Sequence, residues 1–313
     1  MLDVRRLRLL RELARRGTIA AVAEALSFSP SAVSQQLSVL EREAGLPLLE
    51  RTGRRVRLTP AGQNLVRHAE AVLERLEQAE ADLAEARGGL AGVLRIGAFP
   101  TAIRAIVPAA LAALARRHPR LEPMVSETDP AAVAHALRAG DLDVALVHVY
   151  DFVPAVQEPG LATEPLYEEA MYLAGPADPA GEPPDPPRGS DQGAALRAHA
   201  QAPWITATPG TLCHAMTVRA CQAAGFTPRV RHEVDEFATV LALVAAGQGV
   251  AVVPQLGFTG PADPAVRLTR LLMERRTNLA FRSGAGAHPA VAAFGTALRA
   301  ALPPDLAGSR AGA

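Results

Sequence analysis

Lysine is absent from the 313-residue chain; all 32 basic side chains are arginine. That absence removes P-loop phosphate binding and Schiff-base chemistry, since both need a lysine amine. The abundance of Ala, Gly and Pro beside it fits a GC-rich coding bias, so information lies in where the arginines stand. GxSxG, HExxH and CxxC patterns are also missing; no enzyme chemistry, metal or cofactor is expected. No apolar stretch reaches membrane-spanning length, because Arg, Asp, Glu or Pro interrupts each one. The first residues, MLDVRRLRLLRELARRG, carry charge throughout and lack a cleavage site, so they read as a periodic helix and not as a targeting peptide. A cytoplasmic protein without membrane contact is expected. The net charge of zero hides an asymmetry: residues 1–62 hold eleven Arg against six acids, a net of +5. A basic N-terminal unit on an acidic body fits a reader of nucleic acid fused to something that does not touch it.

What is present begins with Thr18–Gly62. Thr18 caps a short helix, Ile19–Leu26. Ser29-Pro30 opens a second, with a hydroxyl at the N-cap and proline where its missing N–H costs nothing. Val33, Leu37, Leu40 and Ala44 recur at helical spacing as a buried stripe. Opposite them Ser31, Ser34, Gln35 and Ser38 form a face free of carboxylates until Glu41, suited to a major groove. Thr52-Gly53 is a turn pair flanked by Arg51, Arg54, Arg55 and Arg57. Guanidiniums crowded on one ribbon repel one another unless phosphate meets them. The DNA-binding set is therefore Thr18, Ser29, Ser31, Ser34, Gln35, Gln36, Ser38, Arg51, Arg54 and Arg55, with Gln35 reading a base.

The run AVAEALSFSPSAVSQQLSVLEREAG followed by LPLLERTGRRVRLTPAG resembles the winged helix-turn-helix of LysR-type transcriptional regulators. Two departures are small: Pro30 stands one position earlier than the family's usual proline, and Leu49 replaces a frequent Phe. The resemblance implies a dimerising linker helix, a two-lobed effector domain of periplasmic-binding-protein-like fold, and a homotetramer that bends an interrupted palindromic promoter. RNA polymerase is a further candidate partner.

The rest of the chain fits that division. Thr59-Pro60 opens a helix to about Ala86 in which Leu65, Ala69, Val72, Leu76, Ala79, Leu83 and Ala86 form a heptad seam. So narrow a stripe favours pairing with a second copy. Gly88, Gly89 and Gly92 are read as its end and a hinge. Beyond them β and α segments alternate, as in a parallel doubly wound α/β sheet. The expected domains are 1–59 (winged helix-turn-helix), 60–89 (linker helix), 90–161 plus 268–303 (lobe 1), 162–267 (lobe 2) and 304–313 (flexible tail), with crossovers near Leu161 and Leu268 and a Pro/Gly-rich surface loop, Gly175–Gly193.

Ligands of such sheets sit beyond strand carboxyl ends, at helix N-termini. That rule selects Pro100, Thr101, Thr128, His148, Tyr150, Thr208, Gly210, Thr211 and Phe237 as effector contacts. Thr101 and Thr211, at facing helix starts, suit a carboxylate, so an anionic effector is a candidate. Few aromatics are expected around the cleft, so flat aromatic effectors are not specially favoured. Two alternatives remain: a redox-sensing regulator using Cys213 and Cys221, and a solute-binding protein without DNA function. On an intact helix, cysteines eight residues apart stand about 12 Å apart, beyond the roughly 7 Å limit for a disulfide.

Overall fold

A computed structural model describes residues 1–26, 28–52, 55–86, 90–154, 158–177, 192–258 and 263–307. Helix α1 (Val4–Arg16) is capped by Asp3, which accepts from Arg5 and Arg6 N–H, and ends at left-handed Gly17. Helices α2 (Ile19–Ala25) and α3 (Pro30–Ala44) follow, then the hairpin β1 (Leu49–Thr52) and β2 (Arg55–Leu58) and the long helix α4 (Pro60–Ala86). Leu10, Leu13, Val22, Val33, Leu37, Leu40 and Leu48 close one core, completed by Ala69 of α4. Glu41, the first acid of α3, turns away from the polar face: its Oε1 accepts from Leu48 and Leu49 N–H at 2.9 and 3.0 Å, fixing the start of the hairpin. Gly62 lies so close that a Cβ there would stand 2.2 Å from the Leu48 carbonyl oxygen.

Along α4 the heptad stripe divides. Leu65 and Ala69 cover the N-terminal core, while Val72, Leu76 and Leu83 are 41%, 42% and 59% exposed, an apolar line on the outer side of the helix.

The larger part contains β3 (Ala91–Ala98), α5 (Pro100–Ala105), α6 (Val107–Arg117), β4 (Arg120–Glu127), α7 (Pro130–Ala139), β5 (Val144–Tyr150), β6 (Leu161–Pro176) and α8 (Gln192–Arg197). It continues with β7 (Pro203–Thr206), α9 (Leu212–Ala223), β8 (Arg229–Glu233), α10 (Phe237–Ala245), β9 (Ala251–Pro254), β10 (Val266–Arg282), α11 (Pro289–Ala300) and α12 (Pro304–Ala307). One sheet runs β4-β3-β5-β10-β6-β9, with β7-β8 beside it. Strands β3, β4 and β5 are parallel, as expected. Strands β6 and β10 are antiparallel to each other and to their neighbours, and their pairing runs the length of the domain.

Several expectations are corrected. Helices α5 and α6 are not one helix but are broken at Ile106: Pro108 has no N–H to give and its ring excludes the carbonyl four residues back. Gly92, expected in a hinge, lies inside β3 at φ +94°, paired with Leu121; Gly88 and Gly89 lie outside the described residues. Leu161 begins β6 and Leu268 lies within β10, so the chain passes between lobes along two continuous strands whose register shifts between Arg270 and Glu274. Of the expected loop, Gly175 and Pro176 belong to β6 and Gln192 and Gly193 to α8; 178–191 lie outside the described residues. The expected tail starts as α12, because Leu306 is buried in the lobe-1 core.

Candidate nucleic-acid interface and ligand cleft

The Ser29 side chain accepts the Ala32 N–H at 3.2 Å and meets Ser31 Oγ at 3.0 Å, ordering the start of α3. Thr18 caps α2 in the same way, accepting from Ala21 N–H. Ser31, Gln35 and Ser38 are exposed and Ser34 half-buried, on the side of α3 opposite Val33 and Leu37. Ser38 donates to the Ser34 carbonyl at 3.0 Å. Gln36 is turned elsewhere: its Oε1 accepts from Arg6 Nε at 2.9 Å, beside the Arg6–Glu43 ion pair, so it braces α1 against α3. Arg51 and Arg55 pair with Val56 and Thr52 across the hairpin; Arg54 and both of their side chains lie outside the described residues.

A second candidate site is a cavity of about 200 Å³ between the lobes. Lobe 1 supplies the ends of its parallel strands: Phe99, Pro100 and Thr101 after β3, Glu127 and Thr128 at β4, Asp129 and Pro130 at the start of α7, and His148 and Tyr150 on β5. Lobe 2 supplies Thr211, Leu212 and Cys213 at the start of α9 and Asp235 and Phe237 at α10. Seven of the nine residues read from the sequence thus converge. Thr208 and Gly210 do not line the cavity. Thr208 donates through N–H and Oγ to the Asp235 carboxylate, each at 2.8 Å, and Gly210, at φ +97°, makes the turn that lets α9 begin.

The floor holds a group the sequence did not reveal. Arg275 is 1% exposed; its Nε and Nη2 reach Glu169 Oε1 at 2.8 and 2.7 Å, and Nη2 also donates to Thr101 Oγ at 2.9 Å. Its guanidinium lies 5.0 Å above the Phe99 ring. Glu169 Oε2 accepts the Leu256 N–H at 2.7 Å, so the buried pair is nearly fully bonded. Phe99, His148 and Tyr150 pack edge to face, with ring centres 4.6 and 4.9 Å apart. Contrary to the expectation of few aromatics, these rings and Phe237 converge on the cavity. Burial, and then Arg275, hold His148 well below its ordinary 6.5, so the imidazole is neutral; its Nδ1 is buried without a protein partner. Burial likewise raises the Tyr150 phenol. Phe99, Glu127, Asp129, Cys213, Asp235 and Arg275 were missed. Asp129 was visible as a helix cap before Pro130, whereas nothing local marks Arg275.

Cys213 and Cys221 lie on the unbroken helix α9. Burial pushes their thiols up to about 11 and about 12, the opposite of an activated thiolate. Among the described residues no cluster of His, Cys, Asp or Glu is placed to hold a metal ion, and no helix is long and apolar enough to cross a membrane.

Residues 4–63 match the family described as "Bacterial regulatory helix-turn-helix protein, lysR family", and residues 87–303 match "LysR substrate binding domain". A probable hydrogen peroxide-inducible genes activator of Mycobacterium avium is 30% identical over 279 residues, covering 88% of this chain and 86% of that protein. Among solved structures, a C206 mutant of Corynebacterium glutamicum OxyR aligns with TM-score 0.57 and 27% identity over 96% of this chain and 92% of its own. Full-length CbnR complexed with its target DNA aligns with TM-score 0.52 and 25% identity, covering 96% of this chain and all (100%) of that one. Regulators of this kind bind promoter DNA and small-molecule effectors and assemble as oligomers. An N-terminal helix-turn-helix joined by a long helix to a cleft-bearing α/β domain, with both halves matched, places this chain in the LysR family of transcriptional regulators.

Proposed function

We propose that this regulator reads an interrupted palindrome with Ser31, Ser34, Gln35 and Ser38 in the major groove and Arg51, Arg54 and Arg55 on phosphates, and that a small effector in the cleft controls it. Copies paired along Val72, Leu76 and Leu83 set two recognition helices about one DNA turn apart, and two such pairs form a tetramer that bends the promoter. The protein works without catalysis, in the cytoplasm with its DNA.

The observation that carries this reading is the position of α7. Its N-cap Asp129 and first residue Pro130 line the cleft. Its far end holds α1: Arg8 Nη2 donates to the Arg138 carbonyl at 2.7 Å, and Arg16 Nη2 meets His135 Nδ1 at 2.9 Å. One rigid helix thus joins effector site and DNA-binding unit within a single chain, and a ligand that prefers one lobe arrangement biases the other end.

A redox reading has one observation in its favour, that Cys213 lines the cleft. The raised thiols and the separation of the cysteines along α9 oppose it.

The test compares Gln35→Ala with Gln36→Ala on DNA flanking the protein's own coding region. Losing a base contact costs about 1–3 kcal/mol of discrimination, so Gln35→Ala narrows the preference for cognate over random DNA by roughly 5- to 150-fold, while Gln36→Ala leaves the ratio unchanged. Equal effects of the two substitutions refute the assigned face.

A further inference from the structure

Most groups that attract an anion to such a cleft are already engaged by the protein itself. Asp129 occupies the N-terminus of α7, accepting the Ala131 N–H at 2.7 Å. Glu236 does the same for α10, accepting from Thr239 N–H at 2.8 Å. Thr211 accepts from His214 N–H and gives its own proton to the Thr208 carbonyl, while Thr101 Oγ accepts from Arg275. With Thr211 committed in both roles, the carboxylate clamp that two threonines at facing helix starts would make keeps only the Thr101 hydroxyl proton to give, and Arg275 is compensated by Glu169.

What the cleft still offers is negative. Glu127, Asp129 and Asp235 are exposed at its rim, and among the described residues none makes an ion pair with arginine. Inside, His148 is 8% exposed and uncharged, and its Nδ1 has no protein partner; a neutral imidazole nitrogen can donate or accept there, according to its tautomer. The rings of Tyr150 and Phe237 add quadrupoles that favour positive charge, as the Phe99 ring already does for Arg275. The carboxylates are too dispersed to chelate a metal ion. At about 200 Å³ the cavity falls below the roughly 300–1,000 Å³ of drug-sized sites, so the ligand is small.

We infer that the effector is a small organic cation, a protonated amine whose N–H groups face Glu127 and Asp235 and whose apolar part lies against the aromatic wall. This rests on the reading of the cleft as the effector site. Calorimetry on the full-length protein tests it with benzylamine and butylamine against benzoate and butanoate at fixed ionic strength. Expected is binding of the amines alone, weakened by salt, weakened about tenfold by Glu127→Gln together with Asp235→Asn, and abolished by the cavity-filling Thr128→Trp. Carboxylate binding that Thr128→Trp abolishes overturns the cationic class while leaving the cleft as effector site. Amine binding that survives Thr128→Trp overturns both readings. Binding of neither class, or amine binding indifferent to the two carboxylates, overturns the cationic effector alone.

Discussion

Glu169→Ala is the sharpest perturbation available, because Glu169 and Arg275 stand directly opposite each other on β6 and β10, the two strands that join the lobes. Their side chains are 0% and 1% exposed. Removing the carboxylate strands a buried guanidinium and leaves the Leu256 N–H without its acceptor. Breaking a buried pair from one side costs about 3–5 kcal/mol, and in a domain of this size each kcal/mol lowers Tm by about 2–4 °C. A fall on the order of 10 °C is expected. Trp204, the only tryptophan, is fully buried in lobe 2, so its fluorescence reports that melting without interference from the DNA-binding unit. The double variant Glu169→Leu with Arg275→Met removes both charges at once. It should lose less than Glu169→Ala alone, about 1–2 kcal/mol, since Thr101 Oγ and the Leu256 N–H lose partners. If the double variant instead melts as low as the sum of its two singles, or Glu169→Ala lowers Tm by less than about 2 °C, the pair does not hold the lobes together.

Two further outcomes follow from buried titratable groups. His148 is kept neutral by burial and by Arg275, whereas the unfolded chain takes a proton near 6.5; stability is therefore complete above that pH and declines below it, by up to about 1.4 kcal/mol per pH unit. Melting from pH 8 to 5 should show this slope in the wild type and a flatter one in His148→Phe; identical slopes would mean that the imidazole charges freely in the folded protein. With thiols raised to about 11 and about 12, alkylation by iodoacetamide at pH 8 should run at least about a hundredfold slower than for an ordinary cysteine, and peroxide should leave both thiols titratable and DNA binding unchanged, whereas rapid alkylation of Cys213 would revive the redox reading.

Helix starts were legible because capping is local: Thr18, Ser29-Pro30 and Thr59 each announce a helix within four residues of chain. The strand-end rule found most of the cleft for the same reason, since Pro100, Thr128 and Thr211 sit where a strand gives way to a helix. Pairing across sequence was not legible. Arg275 and Glu169 are 106 residues apart, and each reads as an exposed charge of a strand until the other is placed opposite it. Scarcity of aromatics misled for a related reason: composition counts rings, and only tertiary structure gathers Phe99, Tyr150 and Phe237 around one cavity.

The basic charge of the N-terminal unit needs the same care. Read as a total, its eleven arginines in residues 1–62 are an electrostatic footprint for DNA. In the structure most of those on α1 are used internally. Arg6 binds Gln36 and Glu43, Arg8 binds the end of α7, and Arg11, Arg15 and Arg16 surround the fully buried Glu12. Arg15 also reaches Glu70 of α4 and packs on Gly160, where a Cβ would lie 2.2 Å from its Nη2. Phosphate attraction therefore falls to the hairpin arginines and to exposed Arg5 and Arg42. The α1 cluster instead fastens the DNA-binding unit to lobe 1, where a change in the cleft has something to pull on.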